Sequence, residues 1–170
     1  MTNNVVVSSV SRLLPSEPVS SLHPSQKCRF TSTGFETRPV LGKKGTRSMD
    51  KLTGLAIHCI DKVMSVVGAQ RDAEPDCIGI VVGSAQGSMD SIVRFTYESL
   101  AHGRSDFVNP ALFPNTVMNC AAGQSAIWHK LKGPNATISC GELSSIAAIS
   151  YAMTLLDNNY ADTLITGAVE

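Results

Sequence analysis

The feature that most constrains this chain is the unbroken run Cys77-Ile78-Gly79-Ile80-Val81-Val82-Gly83. It contains no charged side chain, it does not alternate, and four of its members are β-branched. That is the pattern of a strand buried on both faces of a sheet, and such strands belong to sheets covered by helices. The remaining apolar pattern supplies the cover. Leu52, Leu55, Ala56, Cys59, Ile60, Val63, Met64 and Val67 recur at three and four, which predicts a helix from residue 49 to about Gly68. Met89, Ile92, Val93, Tyr97 and Leu100 predict a second helix, closed by His102-Gly103. Pro110 and Pro114 then break the chain before a third, over residues 116–131, which Gly133-Pro134 ends. Residues 136–140 read as a short strand, 143–156 as a nearly all-apolar helix, and 162–169 as another buried strand. This alternation predicts an α/β layered, largely parallel sheet with helices on its faces. The last buried strand has no helix after it, so a continuation or another chain is expected to complete the core.

The first 46 residues have a different character. Residues 5–10 form a short β-branched run that predicts an edge or opening strand, and Pro15, Pro18 and Pro24 among serines break regular structure after it. Residues 27–46 combine Gly34, Gly42 and Gly45 with five basic side chains and read as an extended, solvated loop. The expected organisation is an opening strand and irregular surface segment over 1–46, then the ordered portion of a domain over 47–170.

Composition excludes several classes of function. Fourteen Lys+Arg balance fourteen Asp+Glu, so the cationic excess that drives nucleic-acid binding is missing. The longest uncharged helical stretch, 143–156, falls short of the roughly 20 residues that span a bilayer, and residues 1–10 lack the basic-then-apolar pattern of a secretion signal. The expectation is a cytoplasmic chain without a membrane partner. Cys28, Cys59, Cys77, Cys120 and Cys140 form no CxxC pair and no histidine stands at ligand spacing, so neither a disulfide framework nor a metal site is expected. His23, His58, His102 and His129 each stand alone and read as surface or helix-end residues. Gly83-Ser84-Ala85-Gln86-Gly87 lies where a phosphate loop would, but it lacks both the GxGxxG spacing and a Gly-Lys-Ser/Thr ending, so it reads as a tight strand-to-helix turn.

The informative region runs from Phe107 to Glu170. Phe113-Pro114, Asn119, Ala122-Gly123-Gln124, Ala126-Ile127, Leu131-Lys132-Gly133-Pro134, the small-residue helix, Tyr160-Ala161-Asp162 and Gly167-Ala168-Val169-Glu170 occur in the order found in the β-ketoacyl-acyl-carrier-protein synthases. Arg47-Ser48-Met49-Asp50-Lys51-Leu52-Thr53 and Ile80-Val81-Val82-Gly83-Ser84 extend the likeness to about 120 residues. The chain resembles that family, and most of all its chain-length-factor branch. The resemblance implies the N-terminal part of a thiolase-like αβαβα layered fold, incomplete without a C-terminal partner piece.

In that family a sharp elbow after the Gly-Pro strand carries a nucleophilic cysteine at a helix N-terminus, where the dipole lowers the thiol pKa and amides form an oxyanion hole. Counting from Gly133-Pro134 and back from Ala161-Asp162 puts that elbow on Glu142, with Cys140 two residues early. An acyl group on glutamate would be an anhydride, prone to hydrolysis, so condensation on this subunit is not expected. Glu142 suits a helix N-terminus, and chain-length factors likewise lack the cysteine, commonly having Gln there. The family's two histidines and lysine belong to a later half, and none of the four histidines here matches their motifs.

The resemblance therefore implies a non-condensing subunit of a type II polyketide or fatty-acid synthase. It would pair as a heterodimer with an active ketosynthase and with a complementary C-terminal polypeptide. Substrate would arrive on the phosphopantetheine of an acyl carrier protein, with no cofactor bound by this chain. Phe113 is expected as a tunnel wall and Met118 as a tunnel-facing residue, ordinary core packing being the other reading of both, and Asn119 would satisfy backbone groups across the dimer. Two alternatives stay open. One is a β-ketoacyl synthase or malonyl-decarboxylating acyltransferase that uses Cys140 or Glu142 once its C-terminal half is present; the other is a remnant that only stabilises its partner.

Overall fold

The structure is a computed structural model that describes residues 5–12, 34–66, 77–101 and 108–170. Its elements are α1 (Thr37–Leu41), α2 (Lys51–Val66), β1 (Ile78–Gly83), α3 (Met89–Ala101), a 3-10 helix (Pro110–Thr116), α4 (Cys120–His129), β2 (Asn135–Ile138), α5 (Ser144–Asp157) and β3 (Thr163–Ala168).

The doubly apolar run becomes the centre of the sheet. β1 is buried at all six positions and lies between its two neighbours in the order β2-β1-β3. Both pairings are parallel, with Val81 opposite Ala136 on one side and Thr166 on the other. Strand alternation sends Ile80 and Val82 to one face and Val81 to the other. Ile80 and Val82 pack with Ile60 and Met64 of α2 and Ala122 and Ala126 of α4. Val81 packs with Ala148 and Ala152 of α5. The result is helices, sheet, helix in three layers, as the alternation predicts.

Two close approaches explain why glycines stand where they do. A side chain on Gly133 would collide with the backbone of Ile78, and one on Gly79 with Pro134. Gly133 donates to the Ile78 carbonyl at 3.0 Å and Ile80 to that of Pro134 at 2.7 Å, so the Gly-Pro corner feeds β2 directly alongside β1. Gly83 lies against the carbonyl of Ser144. The end of β1 thereby meets the first turn of α5 with no room for a β-carbon between them.

Some burials and boundaries differ from those expected: β3, expected to be a buried strand, is half-buried with Thr166 and Ala168 exposed, because it pairs on one side only at the edge of the described sheet. Residues 5–10 form no strand: among the described residues nothing pairs with them, and Val6, Val7 and Val10 are exposed. The stretch expected to be an extended loop contains α1, which packs on α2. The helix expected from residue 116 starts at Cys120, because Pro110 and Pro114 hold the preceding segment in a tighter 3-10 helix, opened by the Asn109 side chain accepting from the Ala111 N–H at 3.0 Å. Residues 13–33, the turn at 71–75, Gly68, His23, Cys28 and His102-Gly103 lie outside the described residues.

Candidate functional site

β1, β2 and β3 run the same way, so their C-terminal ends share one edge, the place where open α/β sheets expose loops to ligands. Three segments meet there. Ser84 donates its N–H to the Ile138 carbonyl at 3.0 Å, Val169 to that of Gly83 at 3.1 Å, and the Ser139 hydroxyl to that of Ala85 at 3.4 Å. The turn after β1, the segment after β2 and the end of β3 are thus joined by hydrogen bonds, mostly between backbone groups.

The elbow forms after β2. Gly141 turns the chain at φ 58°, with Cys140 and Glu142 on either side of it. Ser144, the first residue of α5, fixes the bend from the other side. Its Oγ accepts from the Cys140 N–H at 2.9 Å and donates to the Gly141 carbonyl at 2.6 Å. The N–H groups of Leu143 and Ser144 bond back to the carbonyls of Cys140 and Gly141 at 3.2 and 3.1 Å. Glu142 is therefore placed two residues ahead of the α5 helix, with its side chain on the surface. A carboxylate at that position in the chain stands near the positive end of the helix dipole. Cys140 is also exposed and carries no disulfide. Glu142 and Cys140 share one turn, as their spacing requires.

Of the expected tunnel residues, Met118 reaches this edge: a β-carbon on Gly87 would lie 2.7 Å from the Met118 sulfur, so the thioether covers the turn after β1. Met118 is 36% exposed. Phe113 is 57% exposed and meets Phe95 of α3 with ring centroids 5.9 Å apart and tilted by 56°. Neither side chain belongs to a core cluster. Asn119 is exposed just before α4, where its carbonyl accepts from the Gly123 N–H at 2.9 Å. Two surface hollows, of about 340 and 490 Å³, share Arg47 in their walls, and neither is lined by Glu142, Cys140, Phe113 or Met118.

A buried polar cluster went unanticipated. The Cys120 thiol donates to Asn115 Oδ1 at 3.6 Å and accepts from the Thr53 hydroxyl at 4.0 Å, while Asn115 Nδ2 donates to the Ser48 carbonyl at 2.6 Å. Burial pushes the Cys120 thiol pKa up, the Thr53 hydrogen bond opposes this, and the charge of Asp50 adds to it. This thiol is held neutral, and the cluster ties the 3-10 helix to the starts of α2 and α4. His129 ends α4 with its side chain 3% exposed, 3.6 Å from Asp61 of α2. Among the described residues no group of His, Cys, Asp and Glu could hold a metal, and no helix is long and apolar enough to cross a membrane.

Comparison with known proteins places the chain in a family. The 3-oxoacyl-[acyl-carrier-protein] synthase 2 of Rhizobium meliloti is 30% identical over 129 residues, which cover 75% of this chain and 30% of that protein. The Vibrio cholerae protein of the same name is 26% identical over 138 residues, 81% of this chain and 33% of its own length. The chain spans about a third of the relatives it matches. Among solved structures, the ishigamide ketosynthase/chain length factor superposes with a TM-score of 0.74 at 34% identity, over 81% of this chain and 39% of that one. The fold these share is the thiolase-like one, and this chain holds part of it. The profile described as "Beta-ketoacyl synthase, N-terminal domain" matches residues 8–170, and the chain belongs to the β-ketoacyl synthase family.

Proposed function

We propose that this chain is the N-terminal portion of a ketosynthase-like subunit that does not itself condense. It pairs with an active ketosynthase and shapes the acyl tunnel, in the manner of a chain-length factor, in a type II polyketide or fatty-acid system. What carries this is Glu142 at the turn ahead of α5, the position that the count from Gly133-Pro134 gives to the family's nucleophile. A carboxylate at that turn forms no durable acyl carrier, so the subunit's contribution is shape. Substrate reaches the pair on the phosphopantetheine of an acyl carrier protein.

A complementary C-terminal polypeptide is part of this reading. α5 turns Ile146, Ile149 and Met153 outward at 65, 46 and 46% exposure, and about two thirds of the length of the relatives lies outside their match to this chain. A helix apolar on both sides is a core helix, and the missing cover is the natural occupant.

The test is Met118→Trp in the assembled heterodimer, read as product length. Shorter products support the reading; an unchanged distribution overturns it. Intact mass spectrometry of the purified assembly should show a full-length ketosynthase and a C-terminal companion. The second reading, an acyltransferase using a displaced nucleophile, draws on the exposed Cys140 beside Glu142. Labelling of Cys140 by an acyl substrate analogue would establish it, and Cys140→Ala retaining full product yield would remove it. Decarboxylation of a malonyl unit by Glu142 is disfavoured, since two carboxylates would repel at the site.

A further inference from the structure

The turn at residues 84–87 is held from a direction its own sequence does not announce. The Glu170 carboxylate accepts hydrogen bonds from the backbone N–H groups of Ala85, through Oε1, and of Gln86, through Oε2 at 3.3 Å. Consecutive backbone amides turned to one side make the kind of concavity that binds anions, and here a side chain of the chain itself fills it. Within the turn, Ser84 is buried and its hydroxyl accepts from the Gly87 N–H at 3.0 Å. Gly87 stands at φ 65° directly beneath the Met118 sulfur.

A role confined to joining β3 to the sheet does not account for this carboxylate. The Val169 N–H already ties the end of β3 to the Gly83 carbonyl at 3.1 Å without any side chain, and Glu170 is exposed. What the carboxylate adds is the placement of Ala85 and Gln86, and through Gly87 the seat of Met118. Two acceptor oxygens at this reach are a property of glutamate. Aspartate is one methylene shorter, and glutamine keeps one acceptor and gives up the charge that strengthens such bonds.

We propose that Glu170 is a positioning residue for the tunnel wall: its carboxylate sets residues 84–87, and these set the height of Met118. The inference rests on the reading of Met118 as a tunnel-lining residue.

The test uses the complete subunit assembled with its ketosynthase and compares Glu170→Ala, Glu170→Asp, Glu170→Gln and Met118→Trp. Amide hydrogen exchange reports on Ala85 and Gln86, and product analysis reports on chain length. Glu170→Ala and Glu170→Asp should speed exchange at both amides by about tenfold, the loss expected of one net hydrogen bond to a charged group, and should shift the product distribution. Glu170→Gln should restore part of both. Should Glu170→Ala fail to assemble, Glu170→Asp carries the test, since it keeps the charge and loses the reach. Faster exchange with unchanged product lengths, in a background where Met118→Trp does shorten products, overturns the role of Glu170 and leaves the tunnel reading standing. If Met118→Trp is also silent, the tunnel reading fails and this inference with it.

Discussion

On one face of β1, α2 and α4 bury Ile60, Met64, Ala122 and Ala126 while α2 turns Lys51, Lys62 and Ser65 to the surface. On the other face, α5 buries Ala148 and Ala152 while turning Ile146, Ile149 and Met153 to the surface. α2 is amphipathic and finishes its own side with polar residues, while α4 beside it leaves Ile127 72% exposed. α5 is apolar on both sides, which makes it the middle of a thicker stack than the one present. The contrast also separates the two kinds of residue in the site. The elbow at 140–144 is fixed by bonds within this chain, whereas Met118 and Phe113, proposed above as tunnel residues, stand partly exposed.

The largest test of this contrast is removal of core volume on the α2 side. Ile80→Ala should cost about 3 kcal/mol, the usual penalty for truncating a fully buried isoleucine, measured by denaturant unfolding of the assembled protein; a cost under about 1 kcal/mol would mean that the α2 and α4 layer is not closed. Next comes the outer side of α5. Ile149→Asn should destabilise the complete assembly by about 2 kcal/mol if another layer covers it, whereas Lys62→Gln on the outer side of α2 should stay within about 0.5 kcal/mol. Equal effects at the two positions would erase the distinction between the faces.

A pH effect sharpens the same comparison from within the α2 and α4 layer. The Cys120 thiol has its pKa raised in the folded protein, so the unfolded chain loses this proton first as pH rises. The stabilisation is fully present below the ordinary thiol range and is lost as pH climbs toward the raised folded value. Unfolding curves at rising alkaline pH should show that decline, and Cys120→Ala should remove its share of it. Alkylation at neutral pH should reach Cys140 at least about tenfold faster than Cys120, since one thiol is exposed and the other buried. The smallest effect belongs to the pair of Arg94 and Glu98, 3.1 Å apart one turn along α3. A double-mutant cycle there should return about 0.3 kcal/mol and vanish at high salt.

Much of this molecule could be read without coordinates, for a local reason. The doubly buried strand, the amphipathic α2 and the apolar α5 declare themselves by side-chain periodicity, because burial on one face or two imposes a period that neighbouring residues record. Gly133-Pro134 and the count from it to Glu142 likewise depend on nothing but spacing. The misread elements were those whose state depends on a partner. A β-branched run such as residues 5–10 becomes a strand only where a sheet edge accepts it, and the short α1 exists because α2 offers it a surface. The clamp of Glu170 on Ala85 and Gln86, and the bonds of Thr53 to Cys120 and of Ser48 to Asn115, join residues far apart in the chain. No local pattern records such pairings. The sequence by itself determined the alternation of strands and helices and the burial of β1 on both faces, since both follow from residue type and spacing. Only the tertiary structure decided which backbone amides and side chains meet at the edge of the sheet, because hydrogen bonds between distant segments exist only once the layers have been stacked.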